Sequence, residues 1–213
     1  MYTLHITNKN YSSWSLRPWV LMRACDIAFN EVLHPYTPGN AVDFRDISPT
    51  GKVPWLVDGD TIVWDSLAII EYLAEHHAGI WPTDAQARAW ARCAAAEMHS
   101  GFASLRAALP MNLKARFPNF TVWSRAKGDI ERVVEIWHDC LQQYGGPFLF
   151  GKKPTLADAM YAPVATRFMT YDVALDEVCA AYCQTIMTLP VMKEWIEAAK
   201  GEPDDIEELE MEF

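Results

Sequence analysis

Two short stretches carry residue types and spacings suited to chemistry. The first runs from Gly51-Lys52-Val53-Pro54-Trp55-Leu56-Val57 to Asp65-Ser66. A proline cannot donate to a strand ladder, so Pro54 belongs at a strand entrance or edge. There it leaves the N–H and C=O of Val53 turned outward, where an extended peptide-like ligand can pair with them. Leu67, Ile70, Leu73 and Ala74 recur at helical spacing, so Asp65 reads as the N-cap of a helix. Free N–H groups and the positive dipole end at that start favour a carboxylate. Together these features suit a small peptide with a free carboxylate. The plainer reading is a hairpin leading into a capped helix, and taken alone this stretch favours it.

The second stretch is Ser12-Ser13-Trp14-Ser15-Leu16-Arg17. Ser12 and Ser13 lie just before a helix expected over roughly Ser15 to Ile27. A hydroxyl donating a hydrogen bond to a ligand sulfur favours its thiolate, and a helix N-terminus adds positive potential. The competing reading is that both are turn and cap serines. Arg17 either faces a substrate or a partner subunit, or lays its stem along the first helix.

The elements that must position these residues follow from the pattern. Tyr2 to Thr7 alternates and is read as strand one; Phe29 to Pro35 is strand two. Pro18 is expected in the first turn of the intervening helix, where a missing N–H is harmless. Tyr36 to Asp46 is read as loop with one short helix. Val53–Val57, the turn Asp58-Gly59-Asp60 and Thr61–Trp64 form a hairpin, and a helix follows from Ser66 to about His77. A strand–helix–strand crossover predicts strands one and two parallel, with the hairpin antiparallel. This gives a four-stranded mixed sheet with helices on both faces, over residues 1–78.

After a linker at 79–83 the pattern becomes all-helical, over 84–200. Helices are expected over Ala85–Leu109, Thr121–Tyr144, from Leu156 to about Tyr171, Leu175–Thr188 and Pro190–Ala199. Pro110–Phe120 is read as loop and Phe148–Gly151 as a buried apolar crossing. Thr155-Leu156-Ala157-Asp158 is a capping box.

The formal charge is −10, but seven of the 28 acidic residues lie in 201–213, which holds no Lys or Arg. The other 21 nearly balance the 18 bases, and the tail reads as a solvated or partly disordered extension. No basic face points to nucleic acid. No apolar run long enough to span a membrane occurs. The N-terminus lacks the features of a signal peptide, so a cytoplasmic location is expected. The five cysteines, Cys25, Cys93, Cys140, Cys179 and Cys183, are odd in number and widely spaced. They are read as buried thiols, not a disulfide framework or a zinc site. His76-His77 and Glu97-Met98-His99 are the best metal-like groups, but neither has a third ligand, so they are read as surface or helix-packing residues and no metal is expected. The nine tryptophans are read as core and interface packing.

The order of a small β-α-β-β-β-type unit followed by an all-α unit, with these motifs, resembles the cytosolic glutathione transferase family. The resemblance covers Tyr2 to about Ala199. Val53-Pro54 is similar to that family's cis-proline, whose preceding residue pairs by its backbone with the cysteinyl part of glutathione. Asp65-Ser66 is similar to the acidic-Ser pair that receives the γ-glutamyl end. Thr155-x-x-Asp158 resembles the N-capping box of the second unit's core helix. Ser12-Ser13-Trp14-Ser15-Leu16-Arg17 resembles the serine motif, most like the zeta-type pattern of the maleylacetoacetate isomerases. Trp14 stands where those proteins usually have cysteine, and Pro18-Trp19 departs downstream.

The resemblance implies a thioredoxin-like α/β domain before an all-helical substrate domain. It also implies glutathione as co-substrate and a homodimer acting in detoxification. Its key hydroxyl, five residues before the arginine, falls on Ser12, with Ser13 close behind. Lys52 is a candidate for the glycine carboxylate of glutathione. Trp14, Met98, Phe102 and Arg106 are candidate walls of the second-substrate pocket, although such spacing equally suits core. The activity implied is thiolate attack on a small hydrophobic electrophile. Glutathione-dependent cis-trans isomerisation and a non-catalytic binding protein of the same fold are the alternatives. A mixed-disulfide mechanism is disfavoured, because no Cys occurs among Ser12–Ser15.

Overall fold

The computed structural model describes residues 1–35 and 44–203. The short helix allowed for within 36–46 therefore falls largely outside the described residues, as does the acidic tail from Asp204 onward. Strands β1 (Tyr2–Ile6), β2 (Phe29–Leu33), β3 (Trp55–Asp58) and β4 (Thr61–Trp64) form one sheet in the order β2-β1-β3-β4. β1 runs parallel to β2, with Tyr2 opposite Phe29, and antiparallel to β3, with Leu4 opposite Leu56. β3 and β4 form the expected hairpin.

Alternation along the strands sorts the two faces. Leu4, Ile6 and Leu56 are fully buried beneath α1 (Ser13–Ala24) and α2 (Ser66–His76), which supply Leu16, Val20, Ile69, Ile70 and Leu73 to the same core. The opposite face is different. There His5 and Trp55 stack with ring centroids 4.3 Å apart, and His34 stacks on both. His5 Nδ1 lies 2.9 Å from His34 Nε2. Burial lowers the pKa of both imidazoles. The 3-10 turn Phe44–Asp46 reaches this face through the Phe44–His34 ring contact. Among the described residues α1 and α2 pack on the Leu4 face, and the segment expected to carry a further short helix lies largely outside the described residues.

α1 begins at Ser13, two residues ahead of expectation, with Ser12 as its N-cap. Pro18 therefore falls in the second turn, and the carbonyl of Trp14 loses its i+4 amide partner. The second unit comprises α3 (Ala85–Ser100), α4 (Ala103–Ala108), α5 (Ser124–Tyr144), α6 (Leu156–Thr170), α7 (Glu177–Thr188) and α8 (Pro190–Lys200). The single helix expected over 85–109 is thus broken. Gly101 leaves the helix and Phe102 takes φ +57°. A Cβ on Gly101 would meet the Glu97 carbonyl oxygen at 2.7 Å, so the close turn requires glycine here. α5 starts three residues later than expected and ends at Gly145, whose φ of +80° is the left-handed C-cap conformation.

α6 is buried along nearly its whole length. The Asp158 carboxylate accepts hydrogen bonds from the Thr155 amide (2.8 Å), the Thr155 hydroxyl (3.0 Å), the Leu149 amide (3.0 Å) and the Tyr182 hydroxyl (3.1 Å). The box thus fixes the helix start, the apolar crossing before it and α7 together. One hydrophobic core runs through both units. Arg17 Nε donates to the Met160 carbonyl across α1 and α6, and Leu156 N–H to the Ile80 carbonyl. At the chain's far end, the Glu202 carboxylate accepts from the Lys9 amide (2.6 Å) and the Asn10 amide (3.1 Å). Cys140, Cys179 and Cys183 are buried as expected, but Cys93 is exposed and Cys25 only partly covered; all five are free thiols. No helix among the described residues is long and apolar enough to cross a membrane.

Candidate functional site

A cavity of about 370 Å³ lies where the hairpin entrance, the start of α2 and the end of α3 meet, within the roughly 300–1,000 Å³ of small-ligand sites. Lys52, Val53 and Pro54 form one wall and Asp65 and Ser66 the second. Trp14, Thr50, Trp64 and His99 complete it.

The Val53–Pro54 bond is cis. Among the described residues neither the N–H nor the C=O of Val53 has a hydrogen-bond partner. The preceding loop is held by buried Ser48, whose hydroxyl donates to the Lys52 carbonyl (2.7 Å) and accepts from its amide (3.3 Å).

At the second wall Asp65 takes φ +75°, a left-handed value that a non-glycine residue adopts only when its surroundings hold it there. Its Oδ1 accepts from the amides of Leu67 (2.9 Å) and Ala68 (3.4 Å). The helix start is therefore less open than expected, since Asp65 itself takes two of its amides. What remains is Ser66. Its hydroxyl is 1% exposed and has no hydrogen-bond partner. Nδ1 of His99 is likewise buried and unpartnered, while Nε2 lies 3.2 Å from Asp65 Oδ2. Buried polar atoms without partners are rare and expensive, and these two border the same cavity.

Ser12 and Ser13 are not among the residues that border it. The Ser12 hydroxyl caps α1, accepting from the Ser15 amide (3.4 Å) and donating to Ser15 Oγ (2.7 Å). Ser13 is nearly buried, and its oxygen accepts from Arg167 Nη2 (3.1 Å). Trp14 joins them to the cavity. Its ring carries the Arg17 guanidinium at 4.1 Å and that of Arg106 at 5.4 Å, and it meets His99 edge-on. Of the residues expected to wall a second-substrate pocket, Trp14 borders the cavity and Arg106 lies against Trp14. Met98 is fully buried in the core and Phe102 nearly so.

Arg17 neither reaches solvent nor snorkels; it is fully buried. Burial, aided by repulsion from Arg167 and Arg106, holds its pKa well below the usual guanidinium range. Burial with repulsion from Arg106 brings Arg167 down to about 10.

Thr50 and Trp64 were missed by sequence reasoning. Trp64 adjoins Asp65, and its place beside the motif was the available signal. His99, expected to be a surface or helix-packing residue, instead borders the cavity. His77 bonds Tyr2 (3.1 Å) and His76 packs on Tyr72. A metal-capable group the sequence did not reveal is His138, Asp176 and Cys179, whose ligand atoms lie within 4.8 Å of one another. Asp176 Oδ1 there caps α7, and burial pushes the Cys179 thiol up to about 12.

The family model described as "Glutathione S-transferase, N-terminal domain" matches residues 11–76, and that described as "Glutathione S-transferase, C-terminal domain" matches residues 85–198. The chain belongs to the glutathione S-transferase family. Glutathione S-transferase 1 of Dianthus caryophyllus is 31% identical over 144 residues, covering 66% of this chain and 62% of the relative. A probable maleylacetoacetate isomerase of Caenorhabditis elegans is 30% identical over 129 residues, covering 58% and 60%. The chain thus spans less than two thirds of either relative. Among solved structures, a glutathione transferase homolog from Burkholderia GL BGR1 with bound glutathione superposes with a TM-score of 0.71 at 20% identity, covering 94% of this chain and 99% of that one. A glutathione S-transferase from Actinobacillus pleuropneumoniae gives 0.71 at 21%, covering 98% and 99%. At these identities the superpositions establish the fold. This transferase-family fold places the cavity between the family's two matched regions.

Proposed function

We propose that the chain binds glutathione in this cavity and stabilises its thiolate for attack on a small electrophile. The observation that carries the reading is Ser66, a buried hydroxyl with no partner at a helix start, bordering the same cavity as the unpaired backbone of Val53. A tripeptide thiol supplies what both lack. Its cysteinyl amide and carbonyl pair with Val53 as an added strand. Its γ-glutamyl carboxylate takes the Ser66 hydroxyl and amide, and its amine meets Asp65. Lys52 offers a positive point charge to the glycine carboxylate.

The thiol itself, with a free pKa near 8.5, needs a donor to ionise at neutral pH. Ser12 and Ser13 are the candidates. Ser12 spends its proton on Ser15, whereas Ser13 accepts from Arg167 and keeps its own proton to donate. A cationic donor on its oxygen makes that hydroxyl a stronger donor in turn. Ser13 is therefore assigned the sulfur and Ser12 the helix cap. The helical unit, across Trp14, holds the electrophile.

Titration calorimetry with glutathione tests the binding half. Saturable heat at or below millimolar concentration is expected, and its absence overturns the reading. Turnover of an aryl halide electrophile with glutathione tests the chemical half; binding without turnover leaves a non-catalytic glutathione-binding protein.

A further inference from the structure

No residue of α5 or α7 borders the proposed glutathione cavity, yet the joint between these two helices gathers a second group suited to chemistry. His138 lies in α5, Asp176 is the N-cap of α7, and Cys179 stands three residues further on. Each offers one ligand atom, and these atoms lie within 4.8 Å of one another. Among the described residues no other set of three His, Cys, Asp or Glu side chains converges so closely.

The spacing approaches a coordination shell. Three atoms so placed leave a point at most about 2.8 Å from each, so each ligand has under about 1 Å to travel to reach zinc bond lengths of about 2.0–2.3 Å. Two of the three are already aligned. His138 Nε2 lies 2.8 Å from Asp176 Oδ2. Asp176 Oδ1 accepts from the amides of Val178 (2.9 Å) and Cys179 (3.1 Å), which fixes the carboxylate from behind. A histidine–aspartate hydrogen bond accounts for that pair by itself. It leaves out Cys179, whose buried sulfur sits beside the pair and makes a long 3.9 Å contact to the Val134 carbonyl.

The donor set selects the ion. A thiolate, an imidazole and a carboxylate suit a borderline-soft divalent metal, whereas magnesium and calcium take oxygen ligands. The His138 and Asp176 side chains are each 42% exposed, so a water can complete a tetrahedron from the solvent side.

We propose that His138, Asp176 and Cys179 bind a zinc ion that staples α5 to α7. Binding breaks the S–H bond of Cys179 and its proton passes to solvent, while the imidazole enters neutral and the carboxylate ionised. Affinity therefore rises with pH. The same helix α7 carries Tyr182, which donates to the Asp158 carboxylate of the α6 capping box, so the staple braces the buried helix as well. His138 and Asp176 lie 38 residues apart, which is why no short motif announces the site. The proposal stands apart from the glutathione reading and does not depend on it.

The test uses the full chain after chelator treatment, with cobalt(II) as the spectroscopic stand-in for zinc. One equivalent should bind and give a near-ultraviolet thiolate-to-cobalt charge-transfer band, which one equivalent of zinc should bleach. The band should persist in Cys93→Ser, which removes the exposed thiol, and be lost in Cys179→Ser. His138→Ala, at a half-exposed position, should weaken zinc binding at least about tenfold. Zinc should raise the thermal midpoint of the parent protein but not of this variant. Absence of the band in the parent, a band that survives Cys179→Ser, or unchanged zinc affinity in His138→Ala overturns the proposal. Should Cys179→Ser fail to fold, the affinity and midpoint of His138→Ala decide alone.

Discussion

His99 Nε2 lies 3.2 Å from Asp65 Oδ2, while Oδ1 of the same carboxylate caps α2. One side chain thus ties the helical unit to the helix start that borders the cavity. Removing the imidazole frees that carboxylate and loosens one cavity wall. His99→Ala should raise the KM for glutathione several-fold with a smaller change in kcat, and lower stability by under about 1 kcal/mol, as for a partly exposed pair. Steady-state kinetics and a urea curve read both.

Ser66→Ala should separate affinity from stability. The hydroxyl has no partner in the folded chain, so its loss breaks nothing and the thermal midpoint should hold or rise. If the ligand supplies its partner, the KM for glutathione should rise about tenfold, equivalent to about 1.4 kcal/mol. A fall in midpoint without a change in KM would assign the residue to packing.

Ser13→Ala should depress kcat by about 10² or more while the fold is retained, since a donor to a developing anion contributes on that scale. Ser12→Ala should instead cost about 1 kcal/mol of stability through the lost cap, with turnover close to the parent. Kinetics and melting of the two variants decide the assignment, and the reverse pattern would move the sulfur to Ser12.

Only one thiol should react quickly with an aromatic disulfide reagent at pH 8. Cys93 is exposed, whereas burial pushes Cys140, Cys179 and Cys183 up to about 12. The thiolate is the reactive form, so Cys93→Ser should abolish the fast phase and leave the slow ones.

Asp176 gives a pH signature. The hydrogen bond from His138 is the main cause holding its carboxyl down to about 2. A carboxyl depressed on folding stabilises above its unfolded pKa, near 4, and that contribution fades as pH falls toward 2. The gap in urea midpoint between the parent and His138→Ala should therefore be open at pH 5 and close between pH 4 and pH 2.

Much of this was legible in the chain. Strand directions followed from one crossover and one hairpin, though not the β1–β3 pairing that sets the order, and the Thr155–Asp158 box announced itself by residue type and spacing. Asp65 as N-cap followed in the same way, because a cap is a local event. Two errors share a cause. Pro18 falls in the second turn and the 85–109 helix breaks; apolar periodicity does not fix where a helix starts or stops. At Gly101, for example, the break is local: close approach to the Glu97 carbonyl four residues back admits no side chain. His99 and the buried arginines were invisible as a set for a deeper reason. Arg17 and Arg106 come from different helices, and no spacing along the chain predicts that they share one neighbour in Trp14.

The Glu202 carboxylate grips the amides of Lys9 and Asn10 across 193 residues of sequence. During synthesis that grip must wait until residue 202 has been made, long after the N-terminal strand has emerged. A nascent chain can therefore pair its sheet and pack most of its bundle before the segment leading into the serines is fastened.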